Sequence, residues 1–284
     1  MSALLDRRLT PVRPDLAAAH LRGLVDAPRF VEGRAMQVTE ASAPLRRAPA
    51  TDAPLETEAL YGENVTVYDD GEEGWAWVQL ERDGYVGYLP LIDLGPPAKP
   101  THRVAALRTH VYPGPSIKLP PMMALSLGAR ATITRQEGDF AVTADGRYLW
   151  ARHLADAGSH EPDFVAVAEM FLHAPYLWGG RTSEGIDCSG LVQAGMTAAG
   201  VAAPRDSDML EATLGEPVPL EAPLMRGDLV FWKGHVGVMR DEGTLLHANG
   251  WPMAVVSEPF AEARARIAAS GGGEVTSVKR LAGL

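Results

Sequence analysis

The single cysteine of the chain, Cys188, lies in a segment whose neighbours could activate a thiol. Asp187 before it is a favoured helix N-cap, and apolar residues then recur at helical spacing as far as Gly200, where a helix is expected to end. Cys188 is therefore predicted at a helix N-terminus, where unpaired N–H groups and the helix dipole stabilise a thiolate. Although a lone cysteine is commonly a small buried apolar residue, its flanking Asp and Ser favour a nucleophile whose oxyanion the same N–H groups could stabilise.

Two histidines fall in a predicted antiparallel meander of strands at 227–232, 235–239 and 244–248. A turn near residues 241–242 would pair positions whose numbers sum to about 482–484. His235 and His247 would then lie opposite each other, or nearly so, on one face, with Cβ atoms about 5 Å apart. One could act as a general base and the other could orient its ring.

Cys188, His235 and His247 are also side chains of the types that bind metal ions such as zinc. The sequence has neither a Cys-x-x-Cys nor a His-Glu-x-x-His element to support such a site. We therefore expect no metal and no other cofactor.

The elements that must position these residues change in character near residue 160. Beyond it, Pro162 and the apolar run 164–172 predict a buried helix. Before it, short β-type runs and Gly-rich turns predict small barrels. The expected strands are 36–38, 63–68, 75–80, 85–89, 104–109, 131–134 and 140–143.

The resulting domain limits are an N-terminal arm over 1–35, a first barrel over 36–96, a second over 101–156 and a catalytic domain over 160–284. The arm should contain a helical turn or two within 16–24, and residues 96–100 read as a linker. Residues 83–85 (Asp-Gly-Tyr) and 145–148 (Asp-Gly-Arg-Tyr) hint at two copies of one barrel.

The motif series from Tyr176 onward resembles that of the NlpC-type cysteine peptidases, in the same order and spacing. It consists of residues 176–180, 187–192, 204–207, 227–231, 235–238 and 247–248. The resemblance implies an α+β fold with a papain-like peptidase domain, a Cys188-His235-His247 triad, and cleavage of γ-D-glutamyl bonds in peptidoglycan peptides. The two preceding segments resemble bacterial SH3-like barrels.

This layout is similar to one branch of the family, the γ-D-glutamyl-L-diamino-acid endopeptidases. That similarity implies that the first SH3-like domain closes one end of the cleft. The enzyme would then accept only peptides with a free N-terminal L-Ala, as suits the recycling of wall peptides. By analogy Tyr176 would lie near the oxyanion, and the pocket would be lined by Asp187, Ser189, Arg205, Asp206 and Ser207.

Tyr85 and Glu63 of the first barrel, with Asp187, would hold the substrate ammonium, because a buried amine needs anionic and hydrogen-bonding partners. Each has a plainer interpretation. Glu63 could be a solvated charge and Tyr85 a barrel aromatic, and Arg205 could pair with a substrate carboxylate or with Asp206 or Asp208.

Composition limits the remaining function classes. The 284 residues are 46% apolar and 22% charged with a net charge of −10, which argues against a nucleic-acid partner. One cysteine permits no intrachain disulfide, and neither a secretory signal nor a long apolar span is recognisable. We therefore expect a cytoplasmic protein that acts on a small murein peptide and has no membrane partner.

Two alternatives stay open on sequence alone. The same fold and triad could serve an amidase or acyltransferase. The SH3-like repeats could instead make the chain a wall-binding module with secondary catalysis. The sequence distinguishes neither meso-diaminopimelate from lysine nor one oligomeric state from another.

Overall fold

The computed structural model describes residues 5–71 and 73–281. The chain divides into two compact units, Met1–Ala157 and Gly158–Leu284. The first consists of short strands and the second mixes strands with α-helices, so the chain has the α+β character expected from the sequence. No helix in the described ranges is long and apolar enough to cross a membrane.

Within its described residues, the first unit is all-β apart from three 3-10 turns at Ala19–Leu21, Leu91–Asp93 and Ala151–His153. Its strands are β1 (Val12–Arg13), β2 (Leu16–Ala18), β3 (Phe30–Val31), β4 (Arg34–Val38), β5 (Ser42–Arg46), β6 (Leu55–Leu60), β7 (Asn64–Asp70), β8 (Trp75–Leu80), β9 (Val86–Pro90), β10 (Leu94–Gly95), β11 (His102–Val104), β12 (Arg108–Tyr112), β13 (Met123–Ser126), β14 (Arg130–Ala131), β15 (Ile133–Glu137), β16 (Phe140–Thr143), β17 (Tyr148–Trp150) and β18 (Leu154–Asp156).

Two successive β-modules make up most of this unit. Strands β4–β10 form one sheet in the order β10-β4-β7-β8-β9-β5-β6, and strands β11–β18 form two sheets in the orders β14-β11-β18 and β13-β12-β17-β16-β15. Each module ends with the same succession of hairpin, 3-10 turn and short strand. The hairpin turns contain Gly84 and Gly146, both with positive φ. This shared order supports the predicted duplication, whereas the exact limits 36–96 and 101–156 stay predictions.

The modules meet at Tyr61 and Gly62. The Tyr61 carbonyl accepts the Arg130 N–H at 2.8 Å, and Arg147 donates to the Tyr61 hydroxyl at 2.7 Å. Gly62 has φ +75°, and a Cβ there would lie 2.0 Å from the Arg130 carbonyl oxygen. Only a residue without a side chain therefore permits this approach of the two backbones.

Some predicted elements of this unit were wrong in detail. Residues 104–109 do not form one strand, because the chain bends between β11 and β12. Residues 131–134 are split at Thr132 between β14 and β15. The N-terminal arm has the expected helical turn at Ala19–Leu21, but β1–β3 form a small sheet around it that was not predicted.

The second unit contains four α-helices and eight strands among its described residues. The helices are α1 (Phe164–Glu169), α2 (Cys188–Ala198), α3 (Ser207–Thr213) and α4 (Phe260–Ala269). The strands are β19 (Arg181–Thr182), β20 (Gly185–Ile186), β21 (Glu216–Val218), β22 (Leu229–Trp232), β23 (His235–Met239), β24 (Thr244–Asn249), β25 (Ala254–Pro259) and β26 (Ser277–Arg280).

A six-stranded antiparallel sheet, in the order β21-β26-β22-β23-β24-β25, is the platform of this unit. Helix α2 packs against β23 and β24, and α1 packs against α2. The two helices approach closely at Gly195, where a Cβ would lie 2.6 Å from the Phe164 carbonyl oxygen. The predicted meander is therefore confirmed, and it lies beneath the helix that begins at Cys188.

We predict that Gly62→Ala destabilises the first unit more than Gly146→Ala does. Both positions have positive φ, but a Cβ at Gly146 meets no atom within 4 Å. Alanine at Gly146 therefore adds only backbone strain, whereas alanine at Gly62 also clashes with a backbone and should cost about 1–3 kcal/mol more. Calorimetry of the full chain should show the lower midpoint for Gly62→Ala. Equal midpoints would contradict the close approach.

Candidate functional site

Cys188 is the first residue of α2, as the sequence predicted. The Asp187 side chain caps the helix by accepting the Gly190 N–H at 2.7 Å. The Cys188 side chain is buried, and the backbone N–H groups of Val236 and Ser189 lie near enough to its sulfur to favour the thiolate. Because Val236 follows His235 directly on β23, the sulfur lies against the start of the strand that carries that histidine.

The Gly-rich loop before the cysteine is fixed on both sides. Tyr176 donates its N–H to the Met253 carbonyl at 2.9 Å. Gly179 donates its N–H to Asp187 Oδ2 at 2.8 Å. A Cβ at Gly190 would lie 2.5 Å from the Gly180 carbonyl oxygen, so loop and helix are in direct backbone contact. Tyr176, the predicted oxyanion residue, is half-buried in this loop.

Arg205 forms a buried ion pair with Asp187. Its guanidinium donates to both carboxylate oxygens, at 2.9 and 2.6 Å, and to the Ser189 hydroxyl at 2.8 Å. The Arg205 side chain is 1% exposed. Sequence analysis offered a substrate carboxylate, Asp206 or Asp208 as its partner and did not identify Asp187. The contacts make Arg205, Asp187 and Ser189 a framework that holds the start of α2.

The other predicted pocket residues occupy different positions. Asp206 and Ser207 directly follow Arg205 and start α3, where both are half-buried. In the first unit, Tyr85 is 2% exposed and belongs to the apolar core of the first β-module. Glu63 is also buried there, 3.0 Å from Arg82, and accepts the Leu60 N–H at 3.0 Å. Their predicted contact with the substrate ammonium stays a prediction.

The two histidines are brought together as the strand parity predicted. Strands β23 and β24 pair with Val238 opposite Leu246, so His235 and His247 lie on one face, diagonally rather than directly opposed. His235 Nε2 and His247 Nδ1 are 2.8 Å apart. Gly237 permits close packing of β24, because a Cβ at Gly237 would lie 2.8 Å from Leu245 Cδ1 and 3.2 Å from His247 Cβ.

The carboxylate of Glu258, which was not predicted from the sequence, contacts His247. Glu258 Oε1 is 2.7 Å from His247 Nε2, and Arg266 of α4 donates to both oxygens of Glu258. Asn249 Nδ2 is 2.9 Å from the same His247 nitrogen. Since Leu245 pairs with Glu258 across β24 and β25, strand parity could have placed Glu258 beside His247 had β25 been recognised.

Burial sets the protonation of the cysteine and the histidine. Burial, followed by the charge of Asp187, raises the pKa of Cys188 to about 12, while the N–H groups of Val236 and Ser189 act in the opposite direction. Burial, followed by the electrostatic influence of His247 and Arg266, lowers the pKa of His235 to about 3. The helix N-terminus was expected to stabilise a thiolate. It contributes in that direction, but desolvation outweighs it, and the neutral thiol–imidazole pair is favoured.

The hydroxyl of Tyr176 stays protonated at neutral pH. Burial, followed by the electrostatic influence of Cys188 and Asp187, raises the pKa of Tyr176 above its usual value. A protonated phenol is a hydrogen-bond donor and can stabilise a developing oxyanion. Among the described residues, no group of three or more His, Cys, Asp and Glu side chains could hold a metal ion.

Comparison with known proteins identifies the two kinds of module. The family model described as NlpC/P60 matches residues 173–267, and the one described as the bacterial dipeptidyl-peptidase SH3 domain matches residues 45–94. The γ-D-glutamyl-L-lysine dipeptidyl-peptidase of Bacillus subtilis is 30% identical over 228 residues, which cover 70% of this chain and 73% of that protein. The chain belongs to the NlpC/P60 family.

Further relatives agree with this assignment. Dipeptidyl-peptidase 6 of Lysinibacillus sphaericus is 26% identical over 71% of this chain and 82% of its own length. The crystal structure of an NlpC/P60 family protein from Bacillus cereus shares the fold, with a TM-score of 0.71 at 22% identity over 87% of this chain and 99% of that one. The second unit is thus a papain-like NlpC/P60 domain, preceded by SH3-type β-structure, and the chain is a hydrolase of the cysteine peptidase type.

We predict that Arg205→Leu strongly destabilises the NlpC/P60 domain, because it leaves the Asp187 carboxylate buried without its ion-pair partner. Breaking such a buried pair typically costs about 3–5 kcal/mol. Arg264→Leu is the matched control, because Arg264 pairs with Glu274 on the surface, with side chains 51% and 70% exposed. Its loss should cost less than about 1 kcal/mol. Denaturant titration of both full-length variants would compare them, and equal losses would contradict a structural role for Arg205.

We also predict that alkylation of Cys188 by iodoacetamide accelerates about tenfold per pH unit between about pH 6 and 9, because only the thiolate reacts. The raised pKa of Cys188 keeps the thiolate fraction small and rising throughout this window. The same chain in guanidinium is the control, and its rate should level off above the ordinary thiol pKa of about 8.5. A rate in the folded chain that is independent of pH down to about pH 5 would instead indicate a preformed thiolate–imidazolium pair.

Proposed function

We propose that this protein is a cysteine endopeptidase that hydrolyses the bond between γ-D-glutamate and the diamino acid in peptidoglycan-derived peptides with a free N-terminal L-Ala. Its role would be the recycling of wall peptides. The observation that carries the proposal is the placement of Cys188 at the start of α2, against the strand that bears His235. Nδ1 of His247 lies 2.8 Å from Nε2 of His235.

In the first chemical step, His235 acts as the general base. Its Nε2 is engaged by His247, so Nδ1 is the nitrogen that takes the proton from the Cys188 thiol. The sulfur attacks the γ-carbonyl carbon, and the carbonyl oxygen becomes an oxyanion. Donors at the start of α2 and the protonated Tyr176 hydroxyl stabilise that charge.

The remaining steps return the site to its initial state. The intermediate collapses, the C–N bond breaks, and His235 gives its proton to the leaving amine of the diamino acid. A thioester to Cys188 remains. A water molecule then loses a proton to His235 and attacks the thioester carbonyl carbon. The C–S bond breaks, His235 returns the proton to the departing sulfur, and the γ-carboxyl group of D-glutamate is released. Protons and bonds balance without any further reactant.

The substrate class is supported by the relatives. Two of them are named γ-D-glutamyl-L-lysine dipeptidyl-peptidases and a third is named dipeptidyl-peptidase 6. Removal of a dipeptide requires recognition of a peptide N-terminus, which agrees with the proposed requirement for a free L-Ala amine. The names favour L-lysine as the diamino acid, whereas the sequence left meso-diaminopimelate and lysine open.

The residues proposed to hold the substrate ammonium have structural partners in their own units. Asp187 is bound by Arg205 and two backbone N–H groups, and Glu63 by Arg82 and Leu60. A substrate amine would therefore add to existing charge networks rather than meet isolated carboxylates. Comparing free and blocked peptide N-termini tests whether the amine is recognised at all.

We expect the protein to release L-Ala-D-Glu from L-Ala-γ-D-Glu-L-Lys or from its meso-diaminopimelate analogue, and to leave the N-acetylated forms intact. Mass spectrometry would detect the released dipeptide after incubation with each of the two peptides and each of their N-acetylated forms. Cys188→Ala should abolish turnover. His235→Ala should lower kcat by at least about 100-fold, which is the usual contribution of a general base. His247→Ala should retain more activity, because it orients the base rather than accepting the proton.

His160→Ala is the matched control, since His160 is exposed and belongs to the same unit as the triad. Full activity of His235→Ala would overturn the assignment of the base. Cleavage of the acetylated peptides would keep the peptidase and remove the requirement for a free amine. No cleavage of any peptide, with Cys188 still alkylated, would point to the amidase or acyltransferase alternative. Retention of inactive protein on insoluble peptidoglycan would favour the wall-binding module.

A further inference from the structure

The side chain of His247 meets two groups of opposite hydrogen-bonding character at the same nitrogen. Glu258 Oε1 lies 2.7 Å from Nε2, and Asn249 Nδ2 lies 2.9 Å from it. A carboxylate can only accept a hydrogen bond, whereas an amide nitrogen can only donate one. The orientation of the Asn249 amide is set by the Trp251 N–H, which donates to Asn249 Oδ1 at 3.0 Å. Only one of the two groups can therefore hydrogen-bond to Nε2 at a time.

The group that hydrogen-bonds to Nε2 of His247, Glu258 or Asn249, determines which nitrogens of both histidines are protonated. If Nε2 of His247 is protonated and donates to Glu258, its Nδ1 carries a lone pair and must accept from Nε2–H of His235. Nδ1 of His235 then has the lone pair that a base requires. If Asn249 donates instead, every proton in the series moves to the other nitrogen, and Nδ1 of His235 carries a proton that prevents it from accepting another.

The geometry and charge favour Glu258. Its contact is the shorter of the two, and a hydrogen bond to a carboxylate is stronger than one between neutral groups. Glu258 stays ionised, because its hydrogen bond to His247, followed by that to Arg266, lowers the pKa of Glu258 to about 2.

Arg266 holds the carboxylate in place. It donates to both Glu258 oxygens, and its guanidinium lies 4.6 Å from the centre of the Trp251 ring. The planar fork of an arginine matches a carboxylate and restrains its rotation. The position of the Glu258 carboxylate relative to His247 is therefore determined by β25, which carries Glu258, and by α4, which carries Arg266.

We propose that Glu258, restrained by Arg266, is a positioning residue that keeps His247 protonated on Nε2 and thereby keeps the Nδ1 lone pair of His235 available to the Cys188 thiol. This inference rests on the proposed roles of Cys188, His235 and His247. Glu258 touches neither the thiol nor the reacting bond and acts only through His247.

Glu258→Gln tests the inference with little change in shape. Oε1 of Glu258 faces both His247 Nε2 and Arg266, and Arg266 also reaches the second oxygen. A glutamine has one acceptor oxygen and no negative charge, so in either orientation of its amide it loses a hydrogen bond from Arg266 and attracts the Nε2 proton of His247 less than a carboxylate does. The balance between residue 258 and Asn249 then shifts toward the unproductive arrangement. We expect kcat for the γ-D-glutamyl peptide to fall at least about 30-fold with KM within about threefold, because a wrong tautomer removes a transition-state contribution and not binding.

Glu274→Gln is the matched control, because it removes one carboxylate paired with an arginine of α4 at the surface, where the Glu274 side chain is 70% exposed. Its kcat should stay within about twofold of wild type. Equal kcat values for the two variants, both folded by circular dichroism, would overturn the inference.

A second measurement needs neither activity nor a variant that folds. In wild-type protein labelled with ¹⁵N-histidine, long-range ¹H–¹⁵N correlation spectra should show His247 protonated on Nε2 and His235 protonated on Nε2. Protonation of His247 on Nδ1 would show that Asn249 governs the pair and would refute the inference. If the wild type cleaves none of the peptides, the proposed substrate fails, but these spectra still decide the role of Glu258.

Discussion

The carboxylate of Asp187 is the contact on which the rest of the site depends. It accepts hydrogen bonds from Gly190 in α2, from Gly179 in the preceding loop and from the buried Arg205. One group therefore fixes the first turn of the helix, the loop that carries Tyr176 and the segment that leads into α3. Because a buried charge is tolerated only when its hydrogen bonds are satisfied, these three segments are tied to one geometry, and that geometry determines where Cys188 emerges.

The second half of the site is built on strands. There the alternation of side chains between the two faces of the sheet, rather than a helix cap, positions the histidines. β23 and β24 place His235 and His247 on one face, and the missing side chain of Gly237 leaves space for Leu245 and for the Cβ of His247. β25 and α4 then supply Glu258 and Arg266 behind His247. A helix terminus thus presents the sulfur and a sheet presents the proposed base, so neither group lies on a loop.

Most of the fold and the centre of the site could be predicted from the sequence, because they depend on local rules. The helix that begins at Cys188 is predicted by its Asp187 N-cap and by the helical spacing of the apolar residues that follow. β23 is predicted by a β-type run between two turns. The Asp187–Arg205 pair joins residues 18 positions apart, across α2 and the loop that follows it, and no local pattern links them. Glu258 lies on β25, which lacks a recognisable chemical motif. The split of residues 104–109 into β11 and β12 is likewise set by sheet closure and not by local propensity.

The same burial that orders the site also opposes the charge separation that catalysis requires. It raises the pKa of the Cys188 thiol and lowers that of His235, so the substrate-free site favours the neutral pair. In the proposed mechanism, proton transfer from sulfur to imidazole therefore becomes favourable only as negative charge moves onto the carbonyl oxygen, where helix N–H groups and Tyr176 would receive it. His235 would have to hold a lone pair ready at that moment and to bear a positive charge immediately afterwards. A carboxylate two hydrogen bonds away suits both demands, since it would select the receptive tautomer before the transfer and stabilise the imidazolium after it.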